Sequence, residues 1–179
     1  GYRTVFSGFQ AAKNEITVGA LDANDNMSGF SSWGPVRDGR LKPEVCAVGV
    51  NVYSCQNLNL YAGGWNGTSM ACPGTSGTVA QVYQRYHQLN GGVHPQASLI
   101  RVVMANTADD ILNAGPDFKS GYGRINGLNA VKALEQQRYK IDSINNGALK
   151  VDSVYLGTGL LKWKVALAWT DKEAASLAT

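Results

Sequence analysis

The residue best placed for chemistry in this sequence is Ser69, in the run "GTSMACP" from Gly67 to Pro73. Gly67 permits a sharp or positive-φ backbone just before the hydroxyl. Pro73 is tolerated only in a helix's first turn, which sets a helix start near Ser69 or Met70. The unpaired N–H groups and positive dipole end of that helix then lie beside the serine. An oxyanion formed on attack by Ser69 would be stabilised by the residue's own backbone N–H. The same local features also describe an ordinary N-cap at Thr68 or Ser69. Two other serine chemistries are excluded. No Gly-Lys-Ser/Thr closes a phosphate loop, and Met70-Ala71 breaks the Gly-x-Ser-x-Gly pattern. Gly74 and Gly77, one helical turn apart, suggest a face on which something packs closely.

A serine nucleophile needs a base, and the chain has two histidines, His87 and His94, both after Ser69. His87 falls 18 residues beyond the serine on the same expected helix, about 27 Å away at about 1.5 Å per residue. His94 follows the Gly91-Gly92 break. Both read as surface histidines, and neither as the partner of Ser69.

The elements that must carry Ser69 follow from periodicity. "NEITVGALDA" is a strand ending near Asp22, and "VCAVGVNVYSC" a second, buried strand. The segment between them is rich in Gly, Pro, Ser, Asp and Asn, a long connection. "QNLNLYAGGWNG" leads into the serine run as a loop or hairpin. A helix from Ser69 to about Tyr86 buries Val79, Val82, Tyr83 and Tyr86 and stops at Gly91-Gly92. "PQASLIRVVMANTADD" is a second helix with Leu99, Val102, Val103 and Ala105 inward, and "GLNAVKALEQQ" a third. After about Arg138, "YKIDSI", "LKVDSVYLG" and "LLKWKVALAWTD" alternate as strands, with Trp163, Val165, Leu167 and Trp169 on one face.

Composition bounds the rest. The chain's 179 residues, 44% hydrophobic and 16% charged, suit one globular domain or one domain plus part of another. The net charge of +3 is scattered, with no basic stripe for nucleic acid. No apolar run approaches the roughly 18 residues of a membrane span, and no signal peptide is visible. Cys46, Cys55 and Cys72 leave at least one thiol unpaired. Cys46 and Cys55 could close a loop, and no Cys/His spacing suggests structural zinc.

"GTSMACP" resembles the serine motif of the subtilisin-like serine proteases, Gly-Thr-Ser-Met-Ala-x-Pro. Its neighbours agree in order and spacing from about Asn14 to about Gln137. "TVGALD" (17–22) and "FSSWGP" (30–35) are similar to the family's strand and following Phe-Ser-Ser-x-Gly-Pro segment. "DGRLKPEVCAVG" (38–49) resembles its Lys-Pro-Asp/Glu stretch, and "GPDFKSGYGRIN" (115–126) the Gly-x-Gly-x-x-Asn loop before its last helix. There are departures. Ala47-Val48-Gly49 stands where the family usually has Ala-Pro-Gly, and Gly74-Thr75-Ser76-Gly77 where many members have His-Val-Ala-Gly. "LKWKVALAWTD" is similar to the opening of a β-sandwich appended to some bacterial members.

The resemblance implies a doubly wound α/β fold with a mostly parallel sheet over residues 1–138, the C-terminal portion of a peptidase domain. Residues 139–179 would begin a truncated β-sandwich. It implies peptide-bond hydrolysis through an acyl-enzyme on Ser69, with Gly67, Thr68 and Met70 as oxyanion and supporting residues. The family's Asp, His and oxyanion Asn precede its serine and have no counterpart in residues 1–68, so the isolated chain is expected to be inactive. Its expected partners are a protein or peptide substrate and the missing N-terminal half, not nucleic acid or membrane. The expected location is secreted or cell-envelope. Calcium sites are frequent in the family, but no ligand cluster here can be assigned to one, and no cofactor or metal is expected. The alternative is a non-catalytic subtilisin-like scaffold kept for binding or structure.

Overall fold

A computed structural model describes residues 8–155, 157–159 and 163–170. After a 3-10 turn at Phe9–Ala11 come β1 (Val18–Leu21), β2 (Val45–Val48), β3 (Val52–Gln56) and β4 (Leu60–Trp65). Three helices follow, α1 (Thr68–Leu89), α2 (Ala97–Thr107) and α3 (Gly127–Glu135). The architecture is mixed α/β.

β1 and β2 pair in parallel, with Val18 opposite Val45 and Leu21 opposite Val48. The far edge of β2 is also taken. Cys46 donates its N–H to the Gly123 carbonyl and accepts from the Ile125 N–H, a parallel bridge between Cys46 and Arg124. Two glycines allow this approach. A Cβ on Gly121 would stand 2.3 Å from the Pro43 and Glu44 carbonyl oxygens, and one on Gly123 2.0 Å from that of Asp109. The glycine-rich segment expected to be only a loop therefore extends the parallel sheet.

The long connection from β1 to β2 is held by buried polar groups, as a loop lying against a core must be. The Ala20 N–H donates to the buried Ser31 hydroxyl. Gly34 donates to the Lys42 and Phe118 carbonyls. Lys42, 1% exposed, places its Nζ 2.5 Å from Glu44 Oε1, and Glu44 Oε2 accepts the Thr17 N–H. A buried ammonium needs such a partner, which accounts for the Lys-Pro-Glu spacing.

α1 rests on β1 and β2 through small side chains, Ala71 against Ala20 and Ala47. The main core lies between the helices, where Val82 and Tyr86 of α1 meet Leu99, Ile100, Val103 and Met104 of α2 and Ala130 and Leu134 of α3. Tyr83, expected on this face, is instead 37% exposed. The opposite face of α1 is open. A Cβ at Gly74 or Gly77 would meet nothing within 4 Å, so the close packing expected there is not supplied by the described residues.

Two expected elements differ. "VCAVGVNVYSC" is not one buried strand. Asn51 turns the chain at φ 54°, and β3 leaves the core to pair antiparallel with β4 as an exposed hairpin. The expected strands after Arg138 do not form among the described residues, where 139–155 and 163–170 carry no strand. A strand needs a neighbour's backbone to pair with, and the alternating Trp163, Val165, Leu167 and Trp169 are all exposed. This arm is tied to the helical part by Lys164 Nζ donating to the Ala108 carbonyl and by Arg101 donating to the Trp169 carbonyl. Leu156, residues 160–162 and 171–179 of the expected strands lie outside the described residues. No helix among the described residues is long and apolar enough to cross a membrane.

Arg124 locks the end of the sheet extension. Its guanidinium donates to both carboxylate oxygens of Asp25 and to Asp109, which also accepts from Asn126. Burial pushes the Asp109 carboxyl up, but the Arg124 and Asn126 hydrogen bonds outweigh it and hold it below its ordinary 3.8. A carboxylate depressed on folding stabilises the protein above its unfolded pKa, and that contribution is lost as pH falls through the folded value. Acid titration of unfolding should therefore show wild type more stable than Asp109→Asn at neutral pH, with the gap closing below about pH 4.

Candidate active site

Ser69 is built from backbone outward. Gly67 is the N-cap of α1 at φ 157°, ψ 156°, a conformation L side chains rarely adopt, and no side chain caps the helix. The local N-cap reading of Thr68 or Ser69 is thus corrected. Both are already helical, and a glycine precedes them because the chain must turn without a Cβ. The Gly67 carbonyl accepts from Met70 and Ala71. The N–H groups of Thr68 and Ser69 come before the first helical acceptor and point out of the helix end. Ser69 is exposed, and its hydroxyl makes no hydrogen bond to a described residue.

The sheet fixes where this turn stands. Gly49, just past β2, accepts the Gly67 N–H on its carbonyl at 2.8 Å and donates its own N–H to Leu21. A Cβ on Gly49 would stand 2.5 Å from the Gly67 oxygen and 2.9 Å from the Ala20 Cβ. Ser69 therefore sits at the carboxyl end of the parallel pair, where open α/β sheets place their chemistry. Met70 braces the turn, its Sδ lying 3.4 Å from where a Gly67 Cβ would be. On the other side, Asn66 Oδ1 accepts the Asn51 N–H and Nδ2 donates to the Gly64 carbonyl, joining both legs of the hairpin just before Gly67. Sequence reasoning missed Gly49 and Asn66. Gly49 could have been found from the small residues facing it, Ala20 and Ala71. Asn66 carried no separable signal.

The structure brings Gly67, Thr68, Ser69 and Met70 together and places neither histidine among them. His87 is in the last turn of α1 and His94 in the loop beyond it. The cysteines are all free thiols, with Cys46 buried and Cys55 and Cys72 exposed. Burial pushes the Cys46 thiol up to about 12, so it is not a competing nucleophile.

The chain belongs to the subtilase family, whose profile matches residues 8–123, and within that match Ser69 stands solvent-facing on the first turn of a helix at the carboxyl end of parallel strands. Subtilases are serine proteases. Subtilisin DY of Bacillus licheniformis is 40% identical over 111 residues, 62% of this chain and 35% of that protein. The thermophilic serine proteinase of Bacillus sp. (strain AK1) is 38% identical over 119 residues, 66% of this chain and 25% of that protein. The solved structure of the Clostridium perfringens CspB protease superposes with a TM-score of 0.67 at 28% identity, covering 75% of this chain and 29% of that one. The chain thus spans about a third or less of the length of these relatives.

Proposed function

We propose that this chain is the C-terminal part of the catalytic domain of a serine endopeptidase, with Ser69 as the nucleophile that forms the acyl-enzyme. The observation that carries the reading is the exposed Ser69 behind an N-capping Gly67 at the carboxyl end of β2. The Ser69 backbone N–H is one oxyanion donor. Gly67 and Thr68 shape the turn, and Met70 braces it. The base, its orienting carboxylate and a second oxyanion donor come from a segment N-terminal to this chain. That segment adds the strands of a doubly wound sheet and also packs on the open side of α1, where Gly74 and Gly77 face no described neighbour. Residues 1–138 belong to the peptidase unit and 139–179 open a β-rich module. The substrates are proteins or peptides. The family resemblance supports a secreted or cell-envelope location, and calcium binding elsewhere in the protein is compatible with it.

The chain alone is then catalytically silent, because an unassisted serine hydroxyl is a poor nucleophile near neutral pH. Incubation of the chain with a fluorophosphonate probe should leave Ser69 unlabelled. Rapid labelling at Ser69 would mean that a base is already present.

A further inference from the structure

Far from the serine, the end of α1 gathers three side chains that the proteolytic reading does not use. The helix closes at Asn90, and Gly91 and Gly92 turn the chain back at φ 60° and 91°. The Gly92 N–H donates to the His87 carbonyl, a helix-ending contact that returns the chain along its own last turn. The reversal sets the His94 ring 5.2 Å from the His87 ring, centre to centre. Tyr83, one turn before His87, places its hydroxyl 2.7 Å from His94 Nδ1. The Cε1–Nε2 edge of His87 lies over Gly92, 3.8 Å from where a Cβ there would stand.

We infer that His87 and His94 form a two-histidine chelate for a divalent transition-metal ion, with Tyr83 orienting His94. Imidazole binds zinc at about 2.0–2.1 Å with near-tetrahedral angles, which puts the centres of two liganding rings about 5 Å apart. The observed spacing matches that value. Liganding histidines also commonly donate their other ring N–H to a fixed partner, setting the tautomer and ring orientation. If His94 Nδ1–H donates to the Tyr83 oxygen, Nε2 is left bare for the metal. No group of three or more His, Cys, Asp or Glu among the described residues could hold a metal, so water completes the coordination. About 27 Å of helix separates this pair from Ser69. The chelate would staple the end of α1 to its following loop and take no part in hydrolysis.

Calorimetric titration of tag-free, metal-stripped full-length protein with zinc chloride tests this, comparing wild type with His94→Ala, His87→Ala and Tyr83→Phe. One zinc-binding step should disappear in each histidine variant and weaken about 10-fold in Tyr83→Phe. His94 is exposed, so its variant keeps the fold even if replacement of the half-buried His87 disturbs the helix end. The proposal is overturned if wild type takes up no zinc, or if His94→Ala binds it as wild type does. Unchanged binding by Tyr83→Phe overturns the orienting role.

Discussion

Replacing Ser69 by alanine in the full-length protein is expected to lower peptide hydrolysis to the uncatalysed background while leaving thermal unfolding unchanged. The two halves of this expectation have separate causes. On the proposed mechanism the acyl-enzyme forms on the Ser69 oxygen, and no described thiol is placed to replace it. The nearest cysteine in sequence, Cys72, carries its sulfur three residues further along α1, and the buried Cys46 stays protonated. The fold, by contrast, makes no use of the hydroxyl, which is exposed and bonded to no described residue. α1 is capped by Gly67 and anchored by Ala71, so alanine, the best helix former, fits at position 69. Initial rates with an unstructured protein substrate, read beside a melting curve, check both halves. Residual hydrolysis at an appreciable fraction of the wild-type rate would mean that another residue carries the chemistry.

The largest structural effect is expected at Gly123. Its φ of 111° already excludes L side chains, and a Cβ would stand 2.0 Å from the Asp109 oxygen and 2.7 Å from its carbonyl carbon. The obstacle is the backbone of Asp109 and Asp110, so no rotamer change relieves it. The same residue accepts the Cys46 N–H that joins the sheet extension to β2. Gly123→Ala should therefore cost more than about 4 kcal/mol, the range reserved for a few severe mechanisms, and give unfolded or insoluble protein. Gly77→Ala is the matched control. In the isolated chain its Cβ would meet nothing within 4 Å, and the change should stabilise α1 by up to about 1 kcal/mol. Denaturant unfolding of the two variants distinguishes a blocked glycine from a free one.

These two glycines also show what the sequence made legible. β1, the three helices and the Gly91-Gly92 stop were readable because each rests on a local rule, either apolar periodicity or a chain that turns back at φ above zero. The start of α1 came within a residue of the expected one, but at Thr68, which puts Pro73 sixth in the helix and beyond the first turn that the proline rule assumed. Ser69 itself was locally ambiguous, since a helix cap and a nucleophile use the same residues. The ordered neighbours, from Thr17 to Asn126, identified the family pattern, and the nucleophile role of Ser69 is proposed from it.

What could not be read depends on neighbours distant in sequence. β2 and β3 form one apolar run, yet one is buried and the other exposed, because the turn at Asn51 redirects the chain toward β4. Gly123 and Gly121 read as loop residues because the backbones they touch, at Asp109 and at residues 43–44, are remote in the chain. His94 read as an isolated surface residue because only the reversal at Gly91-Gly92 brings it to Tyr83 and His87. The alternation from Trp163 to Trp169 was read as a strand, but periodicity records which side chains would share a face and says nothing of a partner for the backbone.

The most direct measurement of the central claim is peptide mapping by mass spectrometry of the full-length protein after reaction with a fluorophosphonate. A single stoichiometric adduct on the peptide containing Ser69 is the expected result, absent when the protein is unfolded first. A hydrolytically active protein that carries the adduct on another residue, or carries none, would contradict it.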